Sequence, residues 1–163
     1  MRLFLCVAAI LAALIPAHAQ QWQSGWGVGF ALETFEGVVV PFGTIKEDTG
    51  DRLSLRPASI GLHCGADGRP VASFSGGGFS RYLNDEAVTF RFAGGPADVV
   101  FRVADIPLMG RLPSLDPAST ERLIQGFAAA NGNSVPFRSK DGQGVFPSVG
   151  VLQTAETVAR YCR

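Results

Sequence analysis

Two cysteines, one histidine and a pair of arginines carry most of the chemistry that can be argued for this chain. Cys64 ends the apolar run Ile60-Gly61-Leu62-His63-Cys64, and Cys162 is the penultimate residue. Two cysteines this far apart, with one histidine outside the N-terminal leader, do not make a zinc set, and no metal or other cofactor is expected. In an oxidising compartment an even pair of thiols reads as a disulfide. A closed loop near 100 residues long would stabilise the fold by about 4–5 kcal/mol in the chain-entropy account. Two free thiols, or a bridge between two chains, are the alternatives.

His63 has no nucleophile and no orienting acid beside it in sequence, so it reads as a surface or sheet-packing residue. By period two it falls opposite Cys64, near solvent or a flanking strand. As a catalytic base it would need a distant serine or acid. Arg91 and Arg102 each occupy the outward phase of an alternating run, Val88-Thr89-Phe90-Arg91-Phe92 and Val99-Val100-Phe101-Arg102-Val103. If the runs pair as a hairpin, the two arginines come near one another. They are then either two solvated positions or a small contact patch for an anion.

Other enzyme signatures are absent. The chain has no Gly-x-Ser-x-Gly, no His-Glu-x-x-His, no phosphate-loop lysine and no Cys-x-x-Cys. Gly27-x-Gly29 opens no helix. Glu47, Asp48 and Asp51 do not have the calcium-loop spacing and read as a hairpin tip. Glu33, Glu36, Asp85, Glu86 and Asp105 could form a carboxylate pair without a motif, but each reads equally well as a surface acid. Gly76, Gly77 and Gly78 read as a bent loop or bulge.

The elements that hold these residues follow from compartment and periodicity. Arg2, the apolar run from Leu3 to Ile15 and Ala17-His18-Ala19 read as a signal peptide cleaved after Ala19. The run is shorter than the roughly 20 residues that span a bilayer, so no stable membrane anchor is expected after cleavage. Residues 20–163 suit one domain. Lys and Arg total 14 against 14 Asp and Glu, so there is no basic surplus to neutralise phosphates, and nucleic acid is not an expected partner.

Alternation places a strand at Trp26–Leu32, with Trp26, Val28, Phe30 and Leu32 inward. A second runs over residues 37–45, with Pro41 marking an edge, a bulge or an end. Asp67-Gly68 turns the chain after Cys64. Residues 107–113 read as irregular. Asp116-Pro117 starts a helix with Leu123, Ile124, Phe127 and Ala128 on one stripe, and Asn131-Gly132 stops it. Short strands follow around Val135 and Val145. From Gly150 a terminal helix carries the stripe Leu152, Ala155, Ala159 and Cys162. The expected fold is mainly β with two helices (α+β), an antiparallel, sandwich-like domain closed by one disulfide.

Leu62-His63-Cys64 after an extended strand, a hairpin, Val88-Thr89-Phe90-Arg91-Phe92, a helix and a last helix ending in Cys162 together resemble the VasI/TagO-like accessory proteins of type VI secretion. The resemblance runs from Leu53 to Arg163. It implies a cysteine pair and a non-enzymatic accessory role, and brings no catalytic residue with it. The expected function is therefore that of an exported accessory or binding protein, in the periplasm or the medium, contacting an envelope or secreted protein. An inhibitor of a secreted enzyme and a small envelope hydrolase using His63 are the alternatives.

Overall fold

The computed structural model describes residues 25–32, 39–48, 57–77 and 84–162. The expected signal peptide, with Glu33, Glu36, Asp51 and Gly78, lies outside them. The described chain is mainly antiparallel β with two helices. Its strands are β1 (Gly27–Leu32), β2 (Val39–Lys46), β3 (Ser59–Cys64), β4 (Pro70–Ser75), β5 (Glu86–Phe92), β6 (Gly95–Ile106), β7 (Gly110–Ser114), β8 (Val135–Arg138) and β9 (Gln143–Phe146). The helices are α1 (Pro117–Ala129) and α2 (Val151–Tyr161).

The strands run in one continuous order, β1-β2-β3-β4-β7-β6-β5-β8-β9. What makes this one sheet sandwich-like is its folding. β4 and β7 share a single register pair, Ser73 with Ser114, and β6 is long enough to pair β5 along its first part and β7 along its last. The sheet doubles over at that join, and the inner faces meet. Phe74 of β4 packs against Phe101 of β6 at 5.4 Å between ring centroids, and against Phe137 of β8 at 6.1 Å. Phe137 stacks on Phe146 at 4.5 Å. At the far end the Asp48 N–H donates to the Val145 carbonyl at 2.9 Å, so β9 returns to the end of β2.

Local chemistry explains the turns and the helix docking. Gly68 takes a left-handed φ of 71° at the β3–β4 hairpin, where a side chain would be strained. Pro41 pairs with Phe30 of β1, and the register of β2 with β3 starts only at Gly43, so on the β3 side Pro41 has no strand partner among the described residues. Asp116 caps α1 by accepting from the Ser119 hydroxyl at 2.6 Å and the Ser119 N–H at 2.9 Å, and these two bonds, the hydroxyl's first, hold its carboxyl below the ordinary range. Asn131 and Gly132, both at positive φ, end the helix. Thr120 of α1 accepts from the Ala72 N–H at 2.9 Å, and Ala72 accepts from the Leu115 N–H at 2.8 Å. These bonds satisfy β4 where its ladder to β7 is nearly absent.

Two expectations are corrected. Residues 110–114 form β7, because Pro113 lies beside β6 and the tight turn at Leu108 (φ 64°) and Gly110 (φ 75°) makes room for a returning strand. The buried stripe of α2 is Val151, Thr154, Val158 and Cys162, while Leu152 is 48% exposed. Both stripes include Cys162, and the disulfide together with the core decides between them. Glu47 and Asp48 open the connection of the antiparallel β2–β3 pair, where the Glu47 carboxylate accepts from the Ala58 N–H at 3.2 Å, and the rest of the expected tip, with Asp51, lies outside the described residues.

Candidate functional site

Cys64 and Cys162 form the disulfide, with Cα atoms 5.1 Å apart across a sequence separation of 98. Alternation along β3 turns Ile60 and Leu62 into the core, and Cys64 follows in the same phase. The α2 stripe brings Cys162 to the same place. The bond therefore ties an inner strand to the last helix.

His63 stands on the opposite face of β3, as expected, but is only 6% exposed. It is not a surface residue. Its Nε2 lies 2.9 Å from Ser73 Oγ of the neighbouring strand, and burial pulls its pKa down to about 4. Gly61 makes the contact possible, since a Cβ there would meet His63 Nε2 at 2.5 Å and Ser73 Oγ at 2.9 Å. The pair has the form of a base on a nucleophile. No third group completes it: His63 Nδ1 is buried without a hydrogen-bond partner among the described residues. Ser73 was not legible as a partner, because only the β3–β4 register brings it beside His63.

Arg91 and Arg102 are not brought together, which corrects the expected patch. Arg91 pairs with Pro96 beside the β5–β6 turn, whereas Arg102 lies at the far end of β6 opposite Ser114. The pairing of β5 with β6 starts at Glu86 with Phe101, one residue short of Arg102. There Arg102 approaches Asp85 at 3.6 Å. The arginine that shares a face with Arg91 is Arg138. It faces Thr89, and Thr89 and Arg91 lie two apart on β5. Sequence alone does not single out Arg138, since the short run around Val135 carries no register against β5.

Arg91 and Arg138 border an open groove of about 440 Å³, floored by Thr89, Pro136 and Val145 and flanked by Pro96 and Gln143. Its lining holds two guanidinium groups and no carboxylate. Asp98, one strand away, accepts from the Thr89 hydroxyl at 2.6 Å. Neither guanidinium has a salt bridge or hydrogen bond among the described residues. Such an arrangement can receive carboxylates by paired N–H donation.

Glu86 is buried in the inward phase of β5, where its Oε1 is held by Lys140 Nζ at 2.8 Å. Glu86 faces Phe101, whereas Asp105 lies four residues further along β6, opposite Arg111 and 3.9 Å from it, so the two acids are not neighbours. Among the described residues no helix is long and apolar enough to cross a membrane. No protein-family model, curated protein or solved structure matches this chain.

Proposed function

We propose that this is an exported, non-enzymatic accessory or binding protein that holds an acidic segment of an envelope or secreted protein in the groove between Arg91 and Arg138. The groove carries the reading: two arginines without a side-chain partner among the described residues share one sheet face over apolar proline and valine surface. Apolar contact supplies area there, and the guanidinium groups select negative charge. Export is supported by the pattern of residues 1–19, and the disulfide suits an oxidising space such as the periplasm or the medium. A role beside type VI secretion, as in the VasI/TagO-like proteins, fits the same order of cysteines and strands.

The test is a fluorescence titration of a glutamate-rich peptide against the purified protein. Arg91→Glu/Arg138→Glu is expected to abolish binding, and Arg102→Glu to leave it intact. Binding by the parent should weaken steeply with salt. Equal binding by parent and double variant rejects the reading.

The hydrolase reading draws on one contact, His63 with Ser73. It is separated by Ser73→Ala, which abolishes a hydrolase and leaves the arginine groove working.

A further inference from the structure

The sheet face that carries the arginine groove continues past it onto β6, and its charge changes sign there. Register places Asp98, Thr89, Arg138 and Gln143 in one row across β6, β5, β8 and β9. Arg91 and Pro96 lie one step along the strands on one side of that row, and Ala87 and Val100 one step along on the other. Neighbouring strands are about 4.8 Å apart, and a step of two residues along a strand covers about 6.7 Å. Arg91 and Asp98 are therefore diagonal neighbours, about 7–8 Å apart at Cα.

Two features give Asp98 a role in what the groove holds. It is exposed, and its carboxylate has no ion pair among the described residues. Its one side-chain bond there comes from the hydroxyl of Thr89, a residue that lines the groove, at 2.6 Å, so the charge is held at the groove wall. Arg102, four residues further along β6, is turned to Asp85 at 3.6 Å. Between Asp98 and Arg102 on the same face lies Val100, 47% exposed, with Ala87 opposite it. A carboxylate beside an apolar shelf is the complement of a lysine or arginine side chain, whose stem covers apolar surface while its head meets the charge.

We infer that Asp98 is a specificity-determining residue of the arginine groove, and that the segment bound there carries a basic residue beside its acid. This rests on the groove being the binding site. A uniformly acidic segment crossing the row from β8 to β6 brings a carboxylate against Asp98, where like charges repel. A segment with its acid over Arg91 and Arg138 and its base over Asp98 and Val100 meets opposite charge at both ends. Extended chain presents residues two apart on one face at about 6.7 Å, close to the diagonal from Arg91 to Asp98. The partner's segment is thus mixed in charge, with acid and base two residues apart.

The experiment is a fluorescence titration of three labelled peptides against the purified protein. Each carries two glutamates. One has a lysine two residues after them, one has it two residues before them, and the third has glutamine in place of the lysine. At least one lysine peptide is expected to bind about two- to fivefold tighter than the glutamine peptide, as an exposed ion pair gives. Net charge alone gives the opposite order, because the glutamine peptide is the more negative. Asp98→Asn keeps an acceptor for the Thr89 hydroxyl and removes the charge, so it is expected to restore the net-charge order. Asp98→Glu should retain the lysine preference. If the glutamine peptide binds the parent as tightly as both lysine peptides, and Arg91→Glu/Arg138→Glu loses it, the role of Asp98 is overturned while the groove stands. A lysine preference that survives Asp98→Asn also overturns it. Failure of all three peptides to bind the parent overturns the groove and this inference together.

Discussion

Cys64 and Cys162 join the third strand to the last turn of the last helix, with Cα atoms 5.1 Å apart although 98 residues separate them in sequence. Helix ends at a chain terminus usually fray. Here the terminal stripe of α2 is held to the core by a covalent bond. A loop of this length removes about 4–5 kcal/mol of conformational freedom from the unfolded chain. That is a large part of an ordinary stability of about 5–15 kcal/mol. Cys64→Ser/Cys162→Ser is therefore expected to lower the urea midpoint sharply, as is reduction of the parent. Hydrogen exchange should show α2 opening first. A variant with the parent's midpoint would mean that the bond constrains little.

His63 makes a second prediction, through pH. Its folded pKa is depressed to about 4 by burial, against 6.5 for the free side chain. Between those values the unfolded chain holds a proton that the folded chain does not. Stability is therefore complete above about pH 6.5 and falls as pH drops towards 4, by up to roughly 3 kcal/mol. Other groups titrate in the same window, so the readout is a difference. His63→Asn is expected to flatten the dependence between pH 4 and 6.5 relative to the parent, whatever its own stability. Parallel curves would show that His63 is protonated in the folded state.

Much of the fold was legible because its signals are local. Val88, Phe90 and Phe101 alternate as the inner face requires, Asp116-Pro117 starts α1, and Asn131-Gly132 ends it. The cysteine pair was legible from compartment and count. What could not be read is register. Strand phase says which face Arg91 and Arg102 take, but not that they stand at opposite ends of the hairpin with Arg138 beside Arg91. The His63–Ser73 contact depends on the same long-range information. β7 was missed because Pro113 and Gly110 argue against a strand, and only its pairing with β6 overrides them.

The terminal helix allows that distinction to be measured. A stripe through Leu152 and one through Val158 are nearly equivalent in sequence, and the structure buries Val158 completely while leaving Leu152 48% exposed. Val158→Ala opens a cavity beside the disulfide and is expected to cost about 1–3 kcal/mol. Leu152→Ala should change stability by less than about 0.5 kcal/mol. Thermal melts of the two variants check the order, and a reversed order would mean that α2 docks on its other face.

Glu86 supplies the last prediction. β5 begins at Glu86, so this acid shares the inward phase of Val88 and Phe90, and its side chain is only 3% exposed. One oxygen is held by Lys140 at 2.8 Å, and the other is buried with no partner among the described residues. The lysine side chain is 54% exposed, so the pair gains less from Coulomb attraction than a fully enclosed one. The larger effect lies in what remains when the lysine is removed. Lys140→Met leaves an unpaired carboxylate on the core side of the sheet, at a cost of about 1–3 kcal/mol. Neutralising the acid removes that penalty, so Glu86→Gln/Lys140→Met is expected to unfold at higher urea than Lys140→Met alone. The comparison is between those two midpoints. If the single lysine variant is as stable as the parent, water reaches Glu86 and the ion pair is incidental to the fold.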